Sequence, residues 1–542
     1  MATIPQRRVL AAAPTALIVG IVGAVTACSD ESSTLSLDVA LDSLSVESFL
    51  VHQAMLSSDA MGGRRPGTAG YDAAAAYLIE EARASGLEPG GEDGTYLQPI
   101  DFRTSRVDPS SVVFSVGGQT LVAEADFAVS PRVLTTDTDL RAPLVFAGFG
   151  ISAPELGYDD FASIDVAGKL VVVVPGAPDA FGSLERTVLS SSKVRDAELR
   201  SRGAAGVVMI QSVPVGGRLA SRPRTGYVPP DGEPAEELAA SLRVSRRVAS
   251  TWMANAGRDF DDALSRLRAG EPVSMELGVE GVLTARFVHD TFESANVAAL
   301  LQGVDPALAD EYLVVTAHLD HLGTGAPLAG DSIYNGTLDN ASGSAAILTL
   351  AETLTRMEPP DRSILFLWVT AEESGMLGSE YFARFPTVAG RVIANQNMDG
   401  VMGMIAAATD ILAFGYEHSN LSEAVDFAVE RAGTPVSPDP TPEENLFIRS
   451  DQYAFVRQGI PAIWVQAGRT SVDPSIDAQS ELDRWIVERY HKPTDDLDQP
   501  MDLAGVRVEL ENNLLVAHFI ANEMEAIRWD TESFLYRLRP GG

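Results

Sequence analysis

Hydrophobic residues along this 542-residue chain change rhythm twice. Over residues 44–87 they recur at helical spacing. Residues 71–84 are rich in Ala and Glu, Tyr77 and Leu78 lie on an apolar stripe, and Gly86 stops the helix. A turn-rich loop, Gly63-Arg64-Arg65-Pro66-Gly67-Thr68, interrupts this helical region. From about 107 to 287, short strand-like runs recur at 112–116, 144–147, 169–174 and 206–210. Pro- and Gly-rich connections separate them, and a helix spans about 193–202. Beyond residue 294, apolar strands at 295–301, 312–317, 363–370, 392–397 and 461–465 alternate with helices. These helices lie over about 341–356, 376–385, 421–432 and 503–527. Continuous apolar strands are expected in a sheet covered on both faces. The pattern predicts an α/β domain with a largely parallel central sheet, preceded by a separate mixed unit.

The first residues follow a different logic. Arg7 and Arg8 precede an uncharged apolar run over 9–27, and Cys28 follows directly. A charged start, an apolar stretch and small residues before a break form the pattern of an export signal. By length alone the run also approaches a membrane-spanning helix. Val25-Thr26-Ala27-Cys28 favours export: it resembles a bacterial lipobox, in which the Cys is acylated and becomes the mature N-terminus. The expectation is therefore a protein lipid-anchored in the bacterial cell envelope at Cys28, facing the periplasm or outer surface. Residues 28–41 would act as a Ser- and Asp-rich tether.

Composition narrows the chemistry. Cys28 is the single cysteine, which excludes an intrachain disulfide, a thiolate zinc site and a catalytic thiol. Forty Lys and Arg against 75 Asp and Glu leave a net charge of −35, a surface that repels phosphate backbones and excludes nucleic acid as a partner.

Ligands of open α/β sheets bind beyond the carboxyl ends of the strands. There the chain places His318-Leu319-Asp320-His321, Ala371-Glu372-Glu373 and Met398-Asp399. Asp339-Asn340 stands just before a helix, and Tyr490-His491 lies far downstream. Carboxylates crowded on one rim repel one another, and a divalent cation removes the conflict. His and carboxylate without thiolate suit zinc. Five candidate ligands exceed what one four-coordinate ion needs and would serve two ions bridged by a carboxylate. His321 reads as an ordinary polar residue at a strand end. Gly148-Phe149-Gly150 superficially fits a dinucleotide loop, but Pro154 and Gly157 follow at once.

His318-x-Asp320, Asp339-Asn340-Ala341-Ser342-Gly343, Glu372-Glu373-Ser374-Gly375, Asn397-Met398-Asp399-Gly400 and Tyr490-His491 resemble the signature set of metallopeptidase family 28, the co-catalytic di-zinc aminopeptidases. The resemblance implies a mostly parallel central sheet flanked by helices and two Zn2+ per chain. His318 and Asp399 would bind one zinc, Glu373 and His491 the other, and Asp339 would bridge them. Asp320 would orient the His318 ring through its other nitrogen. Glu372 would be the general base acting on a metal-bridging water, and Tyr490 would stabilise the oxyanion. The peptide bond after Asp339 would be cis. Phe447-Ile448-Arg449-Ser450-Asp451 and Gly459-Ile460-Pro461-Ala462 resemble a family segment near the specificity pocket, which makes Arg449 and Asp451 substrate-binding candidates. Gln452 stands where many members have His.

Residues 203–208 and 168–174 resemble a protease-associated (PA) domain. The expected organisation is a signal peptide over 1–27, the tether over 28–41, an N-terminal part over 42–135, an inserted mixed α/β PA domain over 136–285 and the zinc peptidase domain over 286–540. The implied activity is removal of N-terminal residues from peptides with a free N-terminus. Carboxypeptidase or glutaminyl cyclase action on the same fold, or a non-catalytic binding role, are the alternatives. Oligomeric state is not legible.

Overall fold

The computed structural model describes residues 34–211, 221–230 and 237–539. The signal peptide, the lipobox and Cys28 lie outside the described residues. No helix among the described residues is long and apolar enough to cross a membrane.

Four parallel strands form the centre of the peptidase-like half: Ala462–Ala467, Arg391–Asn397, Glu311–His318 and Ser363–Val369, in that spatial order. Antiparallel strands close both sides, Ile411–Phe414 on one and Ser274–Leu301 on the other. Strand residues alternate between two apolar layers. Leu313, Val315, Ala317, Ile364, Phe366 and Trp368 face one core, while Val314, Leu365, Leu367 and Val369 face the other. That two-faced burial is why the sequence shows unbroken apolar runs here.

The first core is covered by Gly343–Leu354, buried along its length except at Glu352, and by Leu503–Asn522, Val46–Leu56 and Ala69–Ala84. Thr68 caps the last of these through its side chain, and Gly86 follows its end at φ 85°. Phe382 of helix Leu377–Arg384 and Phe455 of helix Gln452–Val456 pack into the opposite core.

A second parallel set, Asp137–Ala147, Leu170–Val173, Gly206–Gln211 and Ala240–Ser245, is likewise apolar on both faces. It is joined to the first by one strand. Ser274–Leu301 runs 28 residues, pairing early with Asp137–Ala147 and Val113–Val116, then with Leu97–Val107 and Ser363–Val369.

Several expectations change. The strand expected over 295–301 is the end of this long one, and Leu97–Val107 was not anticipated. The boundary between 285 and 286 falls inside the shared strand, not in a linker. Strands Val113–Val116 and Phe127–Val129 join the second sheet although they precede residue 136. Of the segment read as a tether, Leu37–Ser43 is helical with Ala40 fully buried, and the Leu35 amide bonds to the Arg356 carbonyl. The Gly148–Gly150 turn holds no open cradle, because the Phe149 and Ile151 amides donate to the buried Asp160 carboxylate.

Candidate metal centre

Strands Arg391–Asn397, Glu311–His318 and Ser363–Val369 are neighbours and run parallel, so their carboxyl ends share one rim. His318 ends the central strand. Asp399 follows one neighbour, and Glu372 and Glu373 follow the other. Asp339 arrives on the turn leading into helix Gly343–Leu354, and the Asp339–Asn340 peptide is cis. His491 comes from the turn after helix Ala478–Glu488.

These side chains converge as pairs. His318 Nε2 stands 3.3 Å from Asp339 Oδ1 and 3.2 Å from Asp399 Oδ1. His491 Nε2 stands 3.2 Å from Asp339 Oδ2 and 3.2 Å from Glu373 Oε2. Asp339 thus turns one oxygen to each histidine. Donor atoms about 2.0–2.1 Å from a tetrahedral zinc lie roughly 3.3 Å apart. All four separations match that edge, so the donor set and its spacing fit zinc.

The same carboxylates draw protons onto the rings. Burial opposes it, but bonds to Asp339 and Asp399 hold His318 well above its ordinary value. Against burial, Asp339 and Glu373 push His491 up to about 10. A divalent cation held there would displace those protons.

Glu372 has a different setting. Burial, joined by Asp451, Asp399 and Glu373, pushes its carboxyl well above the usual carboxylate range, against the pull of His318. It borders an open cavity of about 460 Å³ together with Asp339, Asp399, Tyr490 and His491. The cavity's further walls are largely apolar, with Met402, Leu412, Phe414, Leu446, Trp464 and Ile486. Tyr490 is half-exposed and stacks on His491, with ring centroids 3.8 Å apart.

The wiring of Asp320 differs from expectation. The His318 Nδ1 bonds to the Asp320 backbone carbonyl at 3.0 Å, not to its carboxylate. The carboxylate instead accepts the Glu372 and Glu373 amides at 3.0 and 3.3 Å. A loop carbonyl is nearer the ring, which leaves the side chain to hold the turn that carries both glutamates.

Arg449 lines the cavity and pairs with Glu444 at 3.0 Å. Asp451 is fully buried and does not border the cavity, so it is not a substrate contact; burial pushes it up to about 6. Gln452 bonds the Asn397 side chain at 2.7 Å, just before Asp399.

Three residues matter here beyond the sequence expectation, which read His321 as an ordinary polar residue at a strand end and gave Asp495 and Arg64 no role. His321 is buried, with Nδ1 2.7 Å from Glu373 Oε1. Asp495 accepts the Leu338 and Asp339 amides at 3.0 and 3.1 Å and so holds the Asp339 turn. Arg64, fully buried, donates to the carbonyls of Leu56, Leu319, Asn335 and Gly336, tying the His318 and Asp339 loops together. His321 was visible as a histidine three residues beyond His318. Asp495 and Arg64 act on backbone groups, which residue type alone does not reveal.

Several known proteins resemble this chain. The chain is 22% identical over 457 residues to the probable lipoprotein aminopeptidase LpqL of Mycobacterium tuberculosis, covering 82% of this chain and 72% of that protein. It is 24% identical over 308 residues to aminopeptidase Y of Saccharomyces cerevisiae, 54% of this chain and 47% of that one. Among solved structures, an aminopeptidase from Aneurinibacillus sp. strain AM-1 aligns at a TM-score of 0.48 and 18% identity. That alignment covers 92% of this chain and 99% of the other. A zinc aminopeptidase from Bacillus subtilis aligns at 0.44 and 18%, covering 89% and 97%. Residues 296–514, which carry every candidate ligand, match the profile of peptidase family M28.

Proposed function

We propose that the protein is a zinc aminopeptidase with two zinc ions per chain, one on His318 and Asp399, the other on Glu373 and His491, with Asp339 between them. The observation that carries this reading is Asp339, which offers Oδ1 to one histidine and Oδ2 to the other at 3.3 and 3.2 Å. Zinc in such a site polarises a carbonyl and makes water acidic enough to react near neutral pH. The chain's residues do the rest. Glu372, raised by burial and set on the cavity wall, takes the proton of the attacking water and passes it to the leaving amine. Tyr490, which stacks on His491 and lines the cavity, would donate to the developing oxyanion. The carboxylate-rich rim suits a peptide's free ammonium terminus, and the apolar walls suit a large apolar first side chain.

The second sheet, which takes in strands Val113–Val116 and Phe127–Val129 as well as the expected 136–285, would form the PA domain ahead of the catalytic part. Cys28 would carry a lipid anchor in the cell envelope, a reading supported by the lipobox and by the lipoprotein relative.

The test uses purified soluble protein, metal analysis and a panel of free and terminally blocked peptides. The reading expects two zincs and cleavage only where the N-terminus is free, fastest with Leu or Phe first. One zinc with cyclisation of N-terminal Gln, cleavage that needs a free C-terminus, or no turnover would each overturn it.

A further inference from the structure

Between Ala371 and Met376 the backbone takes an unusual path. Ala371, Gly375 and Met376 sit at φ 56°, 107° and 60°, the left-handed region that non-glycine residues avoid. Such a path persists only where its surroundings hold it. Inside the turn, the Glu372 carbonyl accepts the Gly375 and Met376 amides at 2.7 and 2.8 Å. The Asp320 carboxylate holds the Glu372 and Glu373 amides from below.

The outer end is held from elsewhere in the molecule. Lys193, on helix Ser192–Ser201 of the second layer, donates its Nζ to the Gly375 carbonyl at 3.0 Å. The same Nζ lies 2.7 Å from Glu380 Oε2, on the helix that continues from the turn. Arg457 Nη1 reaches that oxygen at 3.1 Å but makes no bond to Gly375. Glu380 therefore anchors the ammonium, and the ammonium pins the turn.

We propose that Lys193 is a positioning residue for catalysis, fixing the turn that presents Glu372 to the cavity. The layer ahead of the peptidase half then takes part in the reaction through this contact. The inference rests on the reading of Glu372 as the general base. Without Lys193 the Gly375 carbonyl is released and the turn can relax away from its left-handed path. Displacements of about 1 Å in a reacting group cost on the order of 100-fold in rate.

The experiment compares Lys193→Met, Lys193→Arg and Arg457→Met in the zinc-loaded, full-length soluble protein. Arg457→Met removes the other partner of Glu380 and leaves the Gly375 bond in place, so it controls for lost stability. Lys193→Met is expected to lower kcat by about 10- to 100-fold with KM within about 3-fold. It should also speed hydrogen exchange at residues 371–376. Lys193→Arg should recover most of the rate, and Arg457→Met should keep near wild-type kcat. If the wild type cleaves peptides and Lys193→Met matches Arg457→Met in kcat and exchange, this inference alone is overturned. If the wild type cleaves nothing, the reading of Glu372 fails and the inference fails with it.

Discussion

Glu372 and Glu373 are neighbours with the same side chain and unlike surroundings. Glu373 Oε2 lies at ligand spacing from His491, whereas Glu372 borders the cavity and is pushed upward by burial. Replacing either by Gln keeps the shape and removes the charge. Glu372→Gln is expected to retain both metals while kcat falls by at least ~100-fold, the usual contribution of a positioned acid–base group. Glu373→Gln should lose metal first and activity as a consequence. Metal analysis beside single-substrate kinetics separates the two, and equal metal loss in both variants would contradict the assignment. At this scale the sequence was most informative for His318, Asp339, Glu373 and Asp399, which follow continuous apolar runs or precede a helix, while His491 lies in a turn after a polar helix and was picked out by the resemblance alone. The sequence was least informative for Asp495, Arg64 and the true bonding of Asp320. Their partners are backbone groups set by the path of distant loops.

Elements were legible in proportion to their burial. Most strands covered on both faces matched the sequence expectation to within a residue or two, but Asp137–Ala147 starts well before the expected 144 and Ala240–Ser245 was not anticipated. Leu97–Val107 and the first two-thirds of Ser274–Leu301 did not, since both alternate buried with exposed positions and carry many polar residues. Helices Arg246–Asn255, Phe260–Arg268 and Ala478–Glu488 were missed because each buries a narrow stripe on an otherwise polar surface. The contact between layers at Glu380 has its own signature in acid. Burial would raise its carboxyl, but Arg457 and Lys193 hold it at about 2, below its ordinary 4.5. A depressed carboxyl stabilises the fold above its unfolded value. That stability, roughly 3 kcal/mol, is lost as pH falls from about 4.5 toward 2. Denaturant midpoints measured at pH 7, 4.5 and 3 should drop across this window, and Glu380→Gln should flatten that part of the drop. An unchanged profile in the variant would rule out the pair as its source.

At the scale of the whole molecule, the net charge of −35 leaves few docking options for anionic partners. Residence at a membrane would therefore depend on acyl chains attached at Cys28, and two or more chains hold stably where one is marginal. Intact-mass measurement of the mature wild type is expected to show a start at Cys28 with lipid added. Cys28→Ser should show none, with unprocessed precursor accumulating. A wild type without added mass at this position would refute the anchor.

The strand Ser274–Leu301 also governs how the two sheets can move against each other. Enzymes built from two lobes usually widen their clefts by turning about a few unpaired residues. Here the connection is a hydrogen-bonded ladder on both edges, and Asn445 of the peptidase half is bonded to Ser183 and Thr187 beside the second sheet. Turning one sheet against the other would mean tearing a ladder, a far stiffer deformation than bending a hinge, so the two sheets are built to move as one body.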